Sequence, residues 1–191
     1  GKLCASRARQ VSICVHGPPG TGKSAWLRYL ADQLGLEVVQ LRASDLISKW
    51  VGDTERNIAA AFRQALSQKT FLIFDEADSL LQDRKKADHG WQVTQVNEML
   101  TWMESHPYPF ACTTNRPALL DEATTRRFTF KIGLTYLSPV QVRSAFEHFF
   151  GQNWPPGVTP PDRLTVGDFA VVKRRLEIEG DTDPVRIVRK L

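Results

Sequence analysis

The stretch Gly17-Pro18-Pro19-Gly20-Thr21-Gly22-Lys23-Ser24 limits what this chain can fold into more than any other. It has the spacing GxxxxGK[ST] and stands between an apolar run at 11–15 and a segment of helical periodicity. A strand that enters a glycine-rich turn and leaves as a helix points several backbone N–H groups inward, and the helix N-terminus adds partial positive charge. Such a loop cradles phosphate oxygens. Lys23 is then placed to reach the terminal phosphates of a nucleotide, and Ser24 to ligate Mg2+.

The rest of the chain follows the same strand–helix rhythm. Leu27, Leu30, Ala31 and Leu34 mark one helical face, and Gly35 supplies its stop. A second strand is expected over 36–41, then a helix capped by Asp53 or Thr54 whose Ile58, Ala61, Phe62, Ala65 and Leu66 share a face. Phe71-Leu72-Ile73-Phe74 is apolar throughout, as in a central parallel strand covered on both sides. Val93, Val96, Leu100 and Met103 stripe another helix, and strands are expected at 110–113 and 128–132. The pattern predicts an α/β fold with a doubly wound parallel sheet over 1–134. Residues 135–191 read instead as a small helical subdomain. Ser138-Pro139 starts one helix, Thr165 and Asp168 have capping-box spacing for a second, and Asp183-Pro184 opens a short third.

Composition narrows the function classes. No apolar run approaches the roughly 20 residues that a bilayer needs. The net charge of +4 is spread along the chain, with short basic clusters at Arg84-Lys85-Lys86, Arg126-Arg127 and Lys173-Arg174-Arg175. That distribution gives little support to a nucleic-acid partner. Cys4, Cys14 and Cys112 are far apart and lack CxxC spacing, which points to unpaired thiols in a reducing cytoplasm rather than to a metal site.

The chemistry gathers at strand ends. Phe74-Asp75-Glu76-Ala77-Asp78 closes the most apolar strand, at the edge where parallel sheets present ligands. Asp75 is positioned to hold the magnesium through water, and Glu76 to polarise a water for attack on the γ-phosphate. One acid there would serve as a helix cap; two consecutive acids downstream of a complete phosphate loop favour hydrolysis. Cys112-Thr113-Thr114-Asn115 ends the next strand at the same edge, so Asn115 can hydrogen-bond the attacking water or the γ-phosphate, or else simply begin a turn. Arg126 and Arg127 follow, either as surface charge or as an arginine supplied to a neighbour's phosphoryl transfer.

Together these pieces resemble the AAA+ ATPases, and within them the AAA clade to which katanin, spastin and related unfoldases belong. GPPGTGKS resembles the family's Walker A motif, FLIFDEAD its Walker B, TTN its sensor-1 segment ending in Asn115, and DEATTRRF the stretch that delivers arginine fingers. The resemblance runs over about 11–130, with a fainter echo in the tail. There Thr165-Val166-Gly167-Asp168-Phe169 is similar to the clade's small-residue version of the nucleotide-sensing segment, which puts Gly167 near the nucleotide. Lys49-Trp50-Val51-Gly52 resembles the first pore loop of a hexameric ring, and residues 83–90 fall where the family has a second. The resemblance implies a P-loop NTPase core with a helical lid, ATP and Mg2+ as cofactors, a homo-oligomeric ring in the full-length protein and a protein substrate gripped by Trp50. Trp50 packed on its own domain is the competing reading. A nucleic-acid motor or loader, or a non-catalytic nucleotide switch, are the alternative functions. Only 16 residues precede the phosphate loop, fewer than in the family, and the tail is short, so an excised module is expected.

Overall fold

The computed structural model describes residues 11–48, 50, 52–81, 90–120, 122–180 and 183–191. Cys4, Lys49, Val51, Arg84, Lys85, Lys86, His89 and Asp121 lie outside the described residues. Two compact units are present, one containing Lys23–Gly133 with the strand that precedes the loop, the other Pro18–Gly22 with Leu134–Leu191.

The first unit is built on a sheet of β1 (Ser12–His16), β2 (Val38–Arg42), β3 (Phe71–Asp75), β4 (Phe110–Thr114) and β5 (Phe130–Gly133). The strand order is β2-β3-β4-β1-β5 and every pairing is parallel. The connections carry helices α1 (Lys23–Leu34), α2 (Ala43–Leu46), α3 (Asp53–Gln68), α4 (Gly90–Ser105) and α5 (Glu122–Arg127). Parallel neighbours need such crossovers, which is why strands and helices alternate in the sequence.

Side chains of a strand alternate between its faces, and the central strands are covered on both. Leu72 and Phe74 of β3 enter a cluster with Ile58, Phe62, Val96, Met99 and Phe110. Ile73, between them, is equally buried but faces the other way, where α1 packs over β3 and β4. Phe62 is the hub of the aromatic layer. Its ring stacks on Trp102 at 5.5 Å with planes 7° apart, and meets Phe74 at 5.2 Å and His106 at 5.1 Å. Cys14 and Cys112 are register partners on β1 and β4, side by side in the core as free thiols. Burial pushes the Cys14 thiol up to about 11 and that of Cys112 well above its ordinary value, so neither is a ready nucleophile.

Three local expectations need correction, one of them β5, which begins at Phe130 rather than at 128. Neither Asp53 nor Thr54 caps α3: the cap is Gly52, in a left-handed conformation (φ +87°) with no side-chain cap. Thr54 turns back instead, its hydroxyl accepting from the Ser48 N–H at 2.9 Å. Strand β2 begins at Val38 rather than at 36, because Leu36 N–H is spent on the Ala31 carbonyl that closes α1.

The second unit contains α6 (Pro139–Phe150), α7 (Val166–Glu179) and α8 (Pro184–Lys190). Ser138 and Gln141 form a reciprocal capping box on α6, and Gly151 ends it at φ +67°. At α7 the Asp168 carboxylate takes both the N–H and the hydroxyl of Thr165. Val142, Phe146, Trp154, Leu164, Phe169, Val172, Leu176 and Ile187 make its own core. The Trp154 indole N–H is satisfied there by the Val158 carbonyl at 2.8 Å.

Candidate active site

The carboxyl ends of β1, β3 and β4 lie next to one another, as the strand order requires, and the loops leaving them carry the polar residues. The loop after β1 opens with Gly17, whose N–H donates to the Thr114 carbonyl at 3.2 Å. Gly20 (φ +79°) and Gly22 (φ +87°) take left-handed backbone, which a residue with a Cβ rarely adopts. At Gly20 space forbids a side chain as well: a Cβ would stand 2.6 Å from the Thr165 hydroxyl oxygen. Its carbonyl accepts from the Gly167 N–H at 2.8 Å, and a Cβ on Gly167 would meet the Gly20 backbone at 2.8 Å. Gly20 and Gly167 both belong to the second unit, and a backbone hydrogen bond joins them there.

Lys23 and Ser24, the first residues of α1, point at the strand ends. The Lys23 ammonium donates to the Gly17 carbonyl at 2.9 Å and to Asn115 Oδ1 at 2.7 Å. Burial pushes its pKa down, while Asp75, Asp78 and Glu76 pull it back up. The Ser24 hydroxyl donates to both oxygens of Asp75, at 2.8 and 3.0 Å. A hydroxyl beside a carboxylate offers only hard oxygen donors, the set that Mg2+ accepts when phosphates complete its shell.

Glu76 is the first residue after β3, at φ +55°, a left-handed conformation uncommon for a residue with a side chain. Its N–H donates to the Thr113 hydroxyl at 3.0 Å, and the residue itself is exposed. Thr113 also hydrogen-bonds Asp75, so one buried hydroxyl from β4 ties the two acids together. Thr114 holds Asp78 in the same way. Five of the sequence-predicted residues, Lys23, Ser24, Asp75, Glu76 and Asn115, thus share one sheet edge.

The others sit elsewhere. Arg126 and Arg127 are exposed in the last turn of α5, and Arg127 Nε meets Glu104 at 2.6 Å. Trp50 is 77% exposed on the turn before α3. Gln40, which sequence reasoning passed over, donates through Nε2 to Asp75 Oδ2 at 2.9 Å. A lone amide in Val38-Val39-Gln40-Leu41 was the available signal, and it is a weak one.

The profile of the ATPase family associated with various cellular activities (AAA) matches residues 13–136. The chain is an AAA ATPase. Among curated relatives, the AAA ATPase is 34% identical to Protein SAV of Sulfolobus acidocaldarius over 141 residues, 71% of this chain and 18% of that protein. It is 34% identical to spastin of Drosophila melanogaster over 134 residues, 66% of this chain and 18% of that spastin. With spastin of Drosophila grimshawi the figures are 34% over 145 residues, 72% and 18%. The chain therefore spans less than a fifth of the relatives it matches. The fold, the phosphate loop and ATP hydrolysis go with the family. No helix of the described residues is long and apolar enough to cross a membrane.

Proposed function

We propose that this AAA ATPase is the motor module of a protein remodeller, which hydrolyses MgATP and draws a polypeptide through the pore of a hexameric homo-oligomer. In this reading residues 1–134 are the nucleotide-binding core, residues 135–191 a lid over the nucleotide, and Gly167 lies beside it. Residues 17–24 wrap the phosphates. Lys23 exchanges its contacts with Asn115 and Gly17 for the terminal phosphate oxygens, and Ser24 and Asp75 hold the magnesium, which supplies charge neutralisation on the phosphates. Asn115, released from Lys23, orients a water. Glu76 takes a proton from that water as its oxygen bonds the γ-phosphorus, and the bond to the bridging oxygen of ADP breaks. Arg126 or Arg127 from a neighbouring subunit stabilises the charge that develops. The pair of adjacent free thiols in the core agrees with a reducing, cytoplasmic location.

The observation that carries the remodelling half is Trp50. A large apolar ring 77% open to water has no account in the packing of its own unit. The turn that displays it is nevertheless built. The Trp50 N–H donates to the Ser48 hydroxyl at 3.2 Å, and its carbonyl accepts from Asp53 at 3.4 Å. A flat aromatic with two rotatable bonds can pack against side chains of many kinds without reading their order. The test is Trp50→Ala. Its melting temperature should match wild type, whereas burial would bring a cavity cost of about 3–5 kcal/mol. The ratio of turnover with an unfolded protein to turnover without it should fall towards one in the full-length enzyme, and Trp50→Tyr should keep most of it. A strongly destabilised Trp50→Ala would refute the pore role, and stimulation by DNA instead of protein would favour a nucleic-acid motor.

A further inference from the structure

The contacts around Asp75 form a closed circuit. Gln40 is the register partner of Ile73, two residues before Asp75 on the neighbouring strand. Paired residues of parallel strands point to one side, so Gln40, Ile73 and Asp75 all face α1. Ser24 and Arg28 of α1 are four residues apart and lie on one face of that helix, a turn from each other. Ser24 reaches Asp75 at 2.8 and 3.0 Å; Arg28 Nη1 reaches Gln40 Oε1 at 2.7 Å; Gln40 Nε2 reaches Asp75 Oδ2 at 2.9 Å. The polarity allows one arrangement only. A guanidinium solely donates and a carboxylate solely accepts, so the amide between them must turn its oxygen to Arg28 and its nitrogen to Asp75.

We infer that Gln40 is a positioning residue for the metal site, holding Asp75 Oδ2 from β2 while Thr113 holds Oδ1 from β4, with Arg28 fixing the amide. This rests on the reading of Ser24 and Asp75 as the magnesium pair. Each carboxylate oxygen is then tethered by a different strand, and the group cannot swing when the Ser24 oxygen turns to a cation. Outer partners of this kind set metal affinity without touching the metal, and losing one typically costs 10–100-fold. Gln40 is exposed on the edge strand, so its replacement removes the hydrogen bond without opening the core.

Gln40→Leu keeps an apolar stem one atom shorter than the amide side chain and loses the donor. In the complex of this chain with ADP, Mn2+ binding followed by electron paramagnetic resonance should weaken about tenfold in Gln40→Leu, and by a smaller factor in Arg28→Ala. Nucleotide affinity in EDTA and the melting temperature should stay at wild-type values. Unchanged Mn2+ affinity in Gln40→Leu would overturn the assignment. So would an equal loss of nucleotide affinity with and without metal, which would mark Gln40 as merely structural. If the wild-type complex held Mn2+ no better than free ADP does, the magnesium pair itself would be the error.

Discussion

Glu76 keeps a left-handed backbone at a residue that has a side chain to pay for it, at roughly 1–3 kcal/mol. The Thr113 hydroxyl fixes its N–H, so the carboxylate is set beyond the end of β3 and in water. If this strain serves a general base, stability and turnover should separate. Glu76→Gln should bind ATP and lose about 100-fold or more in steady-state turnover, and Glu76→Gly should lose as much while melting higher than wild type, since glycine relieves the strain. Full activity in Glu76→Gln would remove the base assignment. Lys23→Ala should fail to bind ATP at all in a filter or fluorescence assay. These residues were legible in the sequence because their chemistry is contiguous: a loop of eight, an acid pair closing an apolar strand. Asn115 was legible through its strand. The Gln40 contacts were not, since their partners lie 12 and 35 residues away and are brought near only by register.

At the scale of elements, helix periodicity and capping signals read well, and loop residues with competing partners read poorly. Asp53 and Thr54 have the chemistry of caps, but both are drawn towards Ser48, and the cap falls to a glycine. The join between α4 and β4 holds a different conflict. His106 is buried against Phe62 and Phe110, and neither ring nitrogen has a hydrogen-bond partner among the described residues. Burial pushes its pKa down to about 4 from 6.5, so the native state keeps it neutral where the unfolded chain protonates it. The stability it allows is complete above 6.5 and is lost as pH falls towards 4. Between pH 7 and pH 5 that loss should be about 2 kcal/mol. Urea titrations of wild type and His106→Leu at both values check it. The variant should lose less by about that amount, and identical pH slopes would show that the ring is hydrated or partnered in solution.

For the whole molecule, the exposed Arg126 and Arg127 bear on assembly. Fingers that serve a neighbour make activity collective. Turnover per subunit should rise with protein concentration, and adding Arg126→Ala/Arg127→Ala subunits to wild type should depress it more than dilution predicts. A specific activity independent of concentration would leave both arginines as surface charge. The alternation of strands and helices made the fold class legible at this scale, whereas strand order was invisible until register was known. That order also dictates a calendar for synthesis. β1 pairs with β4 on one side and β5 on the other, so Ser12 finds Phe110 and Ile13 finds Phe130. On a ribosome the strand that aims the phosphate loop emerges before the other four of its sheet, yet it must wait, apolar and unpaired, for about a hundred residues until both flanking strands are out. During that interval an apolar strand stands exposed, and a chaperone that shields residues 12–16 would act on the strand of this sheet that is made before the other four and completes its pairing last.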